Sequence, residues 1–545
     1  MIDEHLIKLL KNISTVLEIK GENPFKARAY AKAADLIKNE DLNVHDLARN
    51  DKLGEIKGFG KALVEKITDY CENGSMQYYE KLIETVPESL LKIAKIKGIG
   101  PKKVKLLYEQ HEISNIDQLE EFALDGKLEK IKGFSKKSVA DIIMSISFIR
   151  AHVGLKLQRQ IKEEVDKFLQ FLSEHDKVIK AEPAGDYRRF AETINELVFV
   201  IGTNKEDIEE VDRDQEISKR LNELKKLELS AKKVVCGIED YFAILHRETG
   251  PMEYIEKIKS LGEPGEIKSE EEIYTKIGIQ YIRPELRDHP QAIEYAKERV
   301  IPDLVENDDL KGVIHLHTTW SDGNQSVREM ALAAKEMGFS YIAVSDHSRS
   351  AAYANGLSIE RVREQHKEID ELNSEDLGIY ILKSIEADIL MDGSLDYPEE
   401  VLEEFDLVIA SIHSGFHMNE KEMTDRIIRA IQSPQMHMLG HPTGRLLLSR
   451  DAYPVDMKAV IEASAEYGKV IEINSSPYRL DLSWQNAIYA KELGVKLSIN
   501  PDAHRISSLA DIWNGVKVAQ KASLSPKEII NCMTLDEFKN YIDGI

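Results

Sequence analysis

Nine residues in the C-terminal part of the chain are of types that bind divalent metals and recur at telling positions: His315, His317, Asp322, His347, Glu386, His413, His441, Asp502 and His504. His315 and His317 are two apart in VIHLHT, and Asp502 and His504 are two apart in KLSINPDAH. Residues two apart on a strand point to the same side, so each pair can reach one ion. An H-x-H alone says little; the information lies in where the others fall. His347 closes the run YIAVSDH, Glu386 lies near the end of YILKSIEAD, His413 closes LVIASIH, His441 closes MHMLGH, and Asp322 follows in the loop after the first run. Imidazole together with carboxylate suits Zn²⁺, Mn²⁺ or Fe²⁺, whereas an all-oxygen set would suit Mg²⁺ or Ca²⁺. Nine donors exceed what one ion can use, so two or three ions are implied.

The elements that must bring these residues together can be read from the same stretch. After Lys311, apolar strands alternate with helical stretches such as VREMALAAKEMG and DMKAVIEASAEYG, and VIEINSS, between MHMLGH and KLSINPDAH, brings the strands to seven. Such alternation predicts a parallel βα barrel, which builds its site at the strands' C-terminal ends. The candidate ligands therefore converge on one mouth from six strands. Arg445, Asn474 and Arg479 fall just past strand ends, where they either contact phosphate or form salt bridges within loops.

The rest of the chain is organised differently. Its 545 residues are too many for one ordinary domain and imply three or four. With 42% hydrophobic and 31% charged residues it reads as globular and ordered. No run approaches the roughly 18 apolar residues of a membrane span. The first residues lack the progression of a signal peptide. Cys71, Cys236 and Cys532 are odd in number and far apart, which fits a reducing cytoplasm, the expected location. A net charge of −23 argues against a uniformly basic nucleic-acid binder. Yet the stretch from Lys92 to Lys105, KIAKIKGIGPKKVK, holds six lysines and no acid.

That stretch is one of three related segments, LGEIKGFGKALVEKI from Leu53, IAKIKGIGPKKVKLL from Ile93 and LEKIKGFSKKSVADII from Leu128. Each predicts an apolar lead-in, a tight turn, and an amphipathic helix with basic residues in its first turn. Gly58 and Gly60, like Gly98 and Gly100, allow a close backbone approach, and the next helix offers unpaired N–H groups to a phosphate. Lys61, Lys102 and Lys103 stand beside those turns. Such a unit grips nucleic-acid backbone without reading bases. In the third segment Ser135 takes the second glycine position. Between these segments and the barrel, a helix over Ile161 to Leu172, a strand LVFVIG at 197–202 and a strand KKVVCGI are expected, followed by a helical, polar region from Tyr254 to Asp309 that serves as a small closing subdomain and linker.

The three segments resemble helix-hairpin-helix motifs. The motifs HLHTTWSDG, SDH, SIEAD, SIH, GHP and PDAH resemble those of the PHP (polymerase and histidinol phosphatase) family. With ENPFKARAYAKAADLI at Glu22, GDYRR at Gly185 and ETG at Glu248, the whole chain resembles a bacterial or archaeal family X DNA polymerase ending in a PHP domain. The resemblance implies a multidomain α+β and α/β chain. Its expected parts are a lyase-like helical domain (1–80), helix-hairpin-helix fingers (81–150), a polymerase-beta-like nucleotidyltransferase palm (151–250), a thumb-like subdomain and linker (251–308), and a distorted seven-stranded PHP barrel (309–545). It also implies one metal on His315, His317, Glu386 and Asp502, a second on Glu386, His413 and His441, and a third on Asp322, His347 and His504. Glu386, Asp502 and Arg445 would then act in hydrolysis of a phosphoester, because clustered cations acidify water and clamp phosphate oxygens.

The palm departs from its family. Register from GDYRR, including Arg189, places Glu196 and Val198 where the family has a D-x-D pair, and register back from Thr249 places Lys232 at the third carboxylate. Asp186 stands where a serine would bind the triphosphate, Phe190 and Asn195 replace glycines, and Arg247 and Glu248 replace an aromatic pair. Two metals need converging carboxylates, so the palm is expected to be a non-catalytic scaffold. Lys66 matches the family's Schiff-base lysine for 5′-deoxyribose phosphate, with a phosphate-contacting hairpin lysine as the alternative. The expected function is DNA repair, including base excision repair. In it the PHP domain processes gapped, nicked or 3′-end DNA as a 3′-5′ exonuclease, 3′-end processor or abasic-site nuclease. An active gap-filling polymerase and a histidinol-phosphatase-like enzyme are the alternatives.

Overall fold

The computed structural model of the protein describes residues 3–39, 42–225 and 227–545. The chain falls into two compact units, residues 1–153 and 154–545.

The first unit is helical. Its three hairpins share one construction: a short 3-10 turn or helix, a glycine in the left-handed region, and a helix that starts three residues later. Gly58, Gly98 and Gly133 have φ values of 109°, 88° and 100°, which a side chain would strain. The helices that follow run Lys61–Asn73, Pro101–His111 and Lys136–Ala151. Their apolar faces, among them Leu63 and Ile67, Val104 and Leu107, and Val139 and Ile142, are buried.

The second unit opens with a three-stranded sheet of β1 (Lys180–Ala184), β2 (Glu196–Thr203) and β3 (Ser230–Gly237). β1 is antiparallel and β3 parallel to the central β2. The expected helix is present and slightly longer, Gln158–Ser173. The region after Thr249 is helical as expected, but it is not a polar linker. It has an apolar core of its own, with Tyr254, Ile258, Ile273, Tyr274 and Leu286 buried.

The larger sheet is parallel and seven-stranded: β4 (Gly312–Leu316), β5 (Tyr341–Val344), β6 (Tyr380–Asp388), β7 (Leu407–Ser411), β8 (Met438–Leu439), β9 (Val470–Asn474) and β10 (Leu497–Asn500), adjacent in chain order. Strands buried on both faces read as continuous apolar runs. Alternation sends Ile342, Val344, Ile471 and Ile473 outward, while Tyr341, Ala343, Leu382, Leu407, Ile409 and Val470 fill the inside. The C-terminal helix Leu535–Ile542 adds Phe538 and Ile542 to that inner cluster. The first strand meets the chain just past the last one, where the His317 amide donates to the Ala503 carbonyl at 2.8 Å and the Ala503 amide to the His315 carbonyl at 3.3 Å. The barrel is thus nearly closed, and the closing contact is made by the residues that carry the candidate ligands.

Candidate metal centre and the palm-like site

All nine candidate ligands lie at the C-terminal ends of β4, β5, β6, β7, β8 and β10 or in the loops just beyond. Donor atoms approach within 4.8 Å of one another in four overlapping sets: His317, Asp322, His347 and His504; His315, Glu386 and His441; His315, His317 and Asp502; and His347, Glu386 and His413. Glu386 is at the centre. One carboxylate oxygen lies 3.4 Å from His315 Nε2, 3.4 Å from His413 Nε2 and 3.0 Å from His441 Nε2, and the other 2.9 Å from His347 Nδ1. Asp502 faces His317 at 3.2 Å, and Asp322 faces His504 at 3.4 Å.

The two-residue spacing does bring His315 and His317 together, but not through a regular pleat. The register of β4 against β5 shifts between Val313 and Leu316. His315 itself has φ 61°, and Asp502 has φ 52°. Non-glycine residues held there cost on the order of 1–3 kcal/mol each and persist where the surroundings over-determine them.

Several groups that the sequence reading passed over fix the ligands in place. Glu472, on β9, is fully buried and accepts from His315 Nδ1 at 2.5 Å, from the His441 amide at 2.6 Å and from Asn500 at 2.9 Å. Asp388 pairs with His413 Nδ1 at 2.6 Å. Asp346 accepts from the Thr318 amide and hydroxyl at 2.8 and 2.6 Å and from Gln365 at 2.6 Å, which shapes the loop leading to Asp322. Partners of this kind set imidazole tautomer and orientation. One signal was available: a charged residue inside the wholly buried run VIEIN needs a partner.

The electrostatics suit cations. Burial, with His504 and His347 nearby, drives His317 down to about 3. Burial works against the charge on His413 and His504, but Glu386 and Asp388 raise the first to about 10, and Asp322 and Asp502 raise the second to about 9. Burial also opposes charge on Asp322, yet His504 and His317 hold it at about 2. His315 Nε2 and Glu386 Oε1 are buried without a hydrogen bond. Buried donors and acceptors are seldom left so, and a metal shared by imidazole and carboxylate would satisfy them.

Arg479 points Nε toward Asp502 at 3.6 Å, and Asn474 donates to Asp502 at 3.1 Å. Arg445 is placed otherwise. Its guanidinium pairs with Glu192 at 2.7 Å and donates to the backbone carbonyls of Arg479 and Leu480. It therefore ties the loop after β9 to the loop before β2.

The palm-like residues occupy the positions expected from register: Val198 on β2 lies opposite Lys232 on β3. Val198 is buried beside Tyr241 and Leu245. Lys232 Nζ pairs with Glu196 at 2.9 Å and approaches Glu248 at 4.0 Å. Arg247 also pairs with Glu248. The two arginines of GDYRR are engaged as well. Arg188 pairs with Glu270 at 2.9 Å, and Arg189 with Asp186 at 2.5 Å and Asp288 at 2.9 Å. Phe190 takes φ 54° and packs against the core of the seven-stranded domain. Lys521 of that domain donates to the Arg189 carbonyl at 2.9 Å.

In the helical unit, Gly60 and Gly100 begin their helices without a side-chain cap, so the first N–H groups stay open. Ser135 instead caps its own helix by accepting from the Ser138 amide. Lys61 and Lys102 are exposed. Lys103 turns back, donating to the Gly98 carbonyl at 2.9 Å and lying over the Phe134 ring. Lys66 is half-buried, donates to the Ala62 carbonyl at 2.8 Å and lies over the Tyr78 ring. Among the described residues no helix is long and apolar enough to cross a membrane.

Comparison with known proteins places these features. The helix-hairpin-helix domain family matches residues 1–76, the SAM-like helix-hairpin-helix tandem family residues 89–147, and the PHP domain family residues 314–476. The DNA polymerase/3′-5′ exonuclease PolX of Bacillus subtilis (strain 168) is 33% identical over 98% of this chain and 98% of its own. A probable phosphatase of Thermoanaerobacter sp. (strain X514) is 30% identical over 43% of this chain and 95% of its own. A solved histidinol phosphate phosphatase from Lactococcus lactis, complexed with zinc, L-histidinol and phosphate, aligns over 39% of this chain and 93% of its own at 18% identity, with a TM-score of 0.31.

Proposed function

The chain belongs to the family of the DNA polymerase/3′-5′ exonuclease PolX, and from that premise we propose that its PHP half hydrolyses phosphoesters at DNA 3′ ends while its palm transfers no nucleotides. The centre would hold two or three divalent ions, Mn²⁺ or Zn²⁺ first and Fe²⁺ as a third choice, given its mixed imidazole and carboxylate donors. The observation that carries the reading is the convergence of nine such donors around the buried Glu386, with open donor atoms on His315 and Glu386.

Bound there, divalent cations supply an acidified water and neutralise phosphate oxygens. The chain's own residues do the rest. Glu472 and Asp388 hold His315 and His413 in one orientation. Glu386 and Asp502 present carboxylate oxygens to neighbouring imidazoles on both sides of the cluster. Arg479 brings a cationic group to its edge, where a phosphate would gain a charge-assisted partner. The uncapped hairpin helices support nucleic-acid backbone as the ligand of the full chain.

For the palm, a hydrocarbon at position 198 cannot coordinate a metal, and the Lys232 ammonium already neutralises Glu196. Asp186 would oppose a triphosphate. A Schiff-base role for Lys66 would require the amine to leave the Ala62 carbonyl. A second reading, a small-molecule phosphatase, is favoured by the likeness of the PHP half to a probable phosphatase. The two separate on substrate. With Mn²⁺, the full-length protein should shorten a 5′-labelled primer in gapped DNA, and chelation or His317→Ala should stop it. Hydrolysis of small phosphomonoesters with no loss of DNA ends would favour the second.

A further inference from the structure

One aromatic side chain at the mouth is used by nothing described so far. Tyr353 is 71% exposed, more than any other large apolar side chain described from residue 309 onward. Its ring centroid nevertheless lies 6.1 Å from the His347 ring and 6.3 Å from the His413 ring, two candidate ligands that come from β5 and β7. The ring therefore borders the metal centre directly and faces solvent.

The loop that carries it is built to hold still. The Leu357 amide donates back to the His347 carbonyl at 2.9 Å, and the Ala354 and Gly356 amides donate to the Ala351 carbonyl at 2.9 and 3.1 Å. Ala351 and Ala354 are buried on either side of the turn. A Cβ at Gly356 would meet the Ser348 carbonyl oxygen at 1.9 Å, so the chain can close this tightly only with glycine there. The Tyr353 hydroxyl makes no hydrogen bond among the described residues, which leaves the ring face as the part that can be used. A flat aromatic face held rigidly beside a phosphoester site is complementary to a nucleobase, and stacking on it tolerates every base.

We propose that Tyr353 is the platform on which the base of the 3′-terminal nucleotide stacks while its phosphoester lies among His347, Glu386 and His413. The proposal rests on the reading of the PHP mouth as a DNA 3′-end hydrolase. It makes the substrate a base-bearing terminal nucleotide in preference to an abasic end.

The test uses the full-length protein with Mn²⁺ and two 5′-labelled oligonucleotides that differ only in the 3′-terminal residue, a normal nucleotide or a tetrahydrofuran abasic analogue, with glycerol 2-phosphate as a ring-free ester. The wild type should favour the base-bearing end in kcat/KM by roughly 5- to 150-fold, the span that one stacked base contributes. Tyr353→Ala should erase that ratio, mainly through KM, with metal content and hydrolysis of the abasic end unchanged. Tyr353→Phe and Tyr353→Trp should keep it. Equal rates on the two ends by the wild type, or equal losses on both in Tyr353→Ala, would overturn the stacking role alone. Metal-dependent hydrolysis of glycerol 2-phosphate with neither DNA end touched would overturn the DNA reading, and stacking with it.

Discussion

The PHP mouth and the palm-like site are both clusters of charged side chains at strand ends, and they differ in what the charges do. At the mouth, carboxylates and imidazoles crowd around Glu386 with donor atoms left open. In the palm-like sheet the charges of GDYRR and its neighbours are paired within the protein: Lys232 with Glu196, Arg247 with Glu248, Arg188 with Glu270, and Arg189 with Asp186 and Asp288. The first arrangement is costly unless a cation is bound. The second is complete without any ligand. Closed ion pairs of this kind support the proposed scaffold role, and the same segment also meets the barrel through Phe190 and Lys521.

The comparison breaks first at a ligand. His317→Ala should abolish hydrolysis and reduce bound metal, measured by elemental analysis, while circular dichroism stays that of a folded protein; full metal content with unchanged rates would remove His317 from the centre.

A charge that pairs with the palm-like sheet from the region after Thr249 should instead matter for stability. Burial opposes the charge on Glu270, but the Arg287 and Arg188 guanidiniums hold it down from an ordinary 4.5 to about 2. A depressed carboxylate contributes stability above its unfolded value, and that contribution is lost as pH falls from about 4.5 toward 2. Arg287 has a fully buried side chain, so Glu270→Gln should cost about 3–5 kcal/mol by leaving it unpaired. Denaturant melts at pH 7 and pH 3 check this: the gap between wild type and variant should shrink at the lower pH.

Removal of a residue that only orients a ligand should have a smaller effect on activity. Glu472→Gln should lower metal affinity or activity by about 10- to 100-fold, and Asp388→Asn should behave similarly through His413. Either variant matching His317→Ala in full would make its residue a ligand in its own right.

How much of this could be read before folding follows from range. The nine candidate ligands are legible because they fall near or just past the ends of apolar runs, and the parallel barrel because strands and helices alternate. The bulge at His315 is not, since it depends on β4 meeting the loop after β10, almost two hundred residues later. Nor are the partners of the palm arginines: Arg188 and Glu270 come together only when the region after Thr249 folds onto the sheet. Arg445 had two readings, and its pairing with Glu192 lies between loops that no local pattern connects. The Lys102 and Lys103 pair looked equivalent, yet the fold turns only Lys103 back onto its own loop.

That difference gives the smallest effect. Lys102→Ala should weaken DNA binding alike for unrelated sequences and reduce the salt slope by about one unit, and Lys103→Ala should have a smaller effect on both. Binding isotherms over a series of salt concentrations measure both.

We expect phosphoester hydrolysis at the mouth and no nucleotide transfer in the palm. The direct measurement is a 5′-labelled primer on gapped DNA with all four nucleotides and Mn²⁺, using the wild type and a His315→Ala, His317→Ala protein in which shortening cannot erase extension. The account predicts shortening by the wild type and an unchanged primer with the variant. Template-directed extension by the variant that disappears on Glu196→Ala would contradict it.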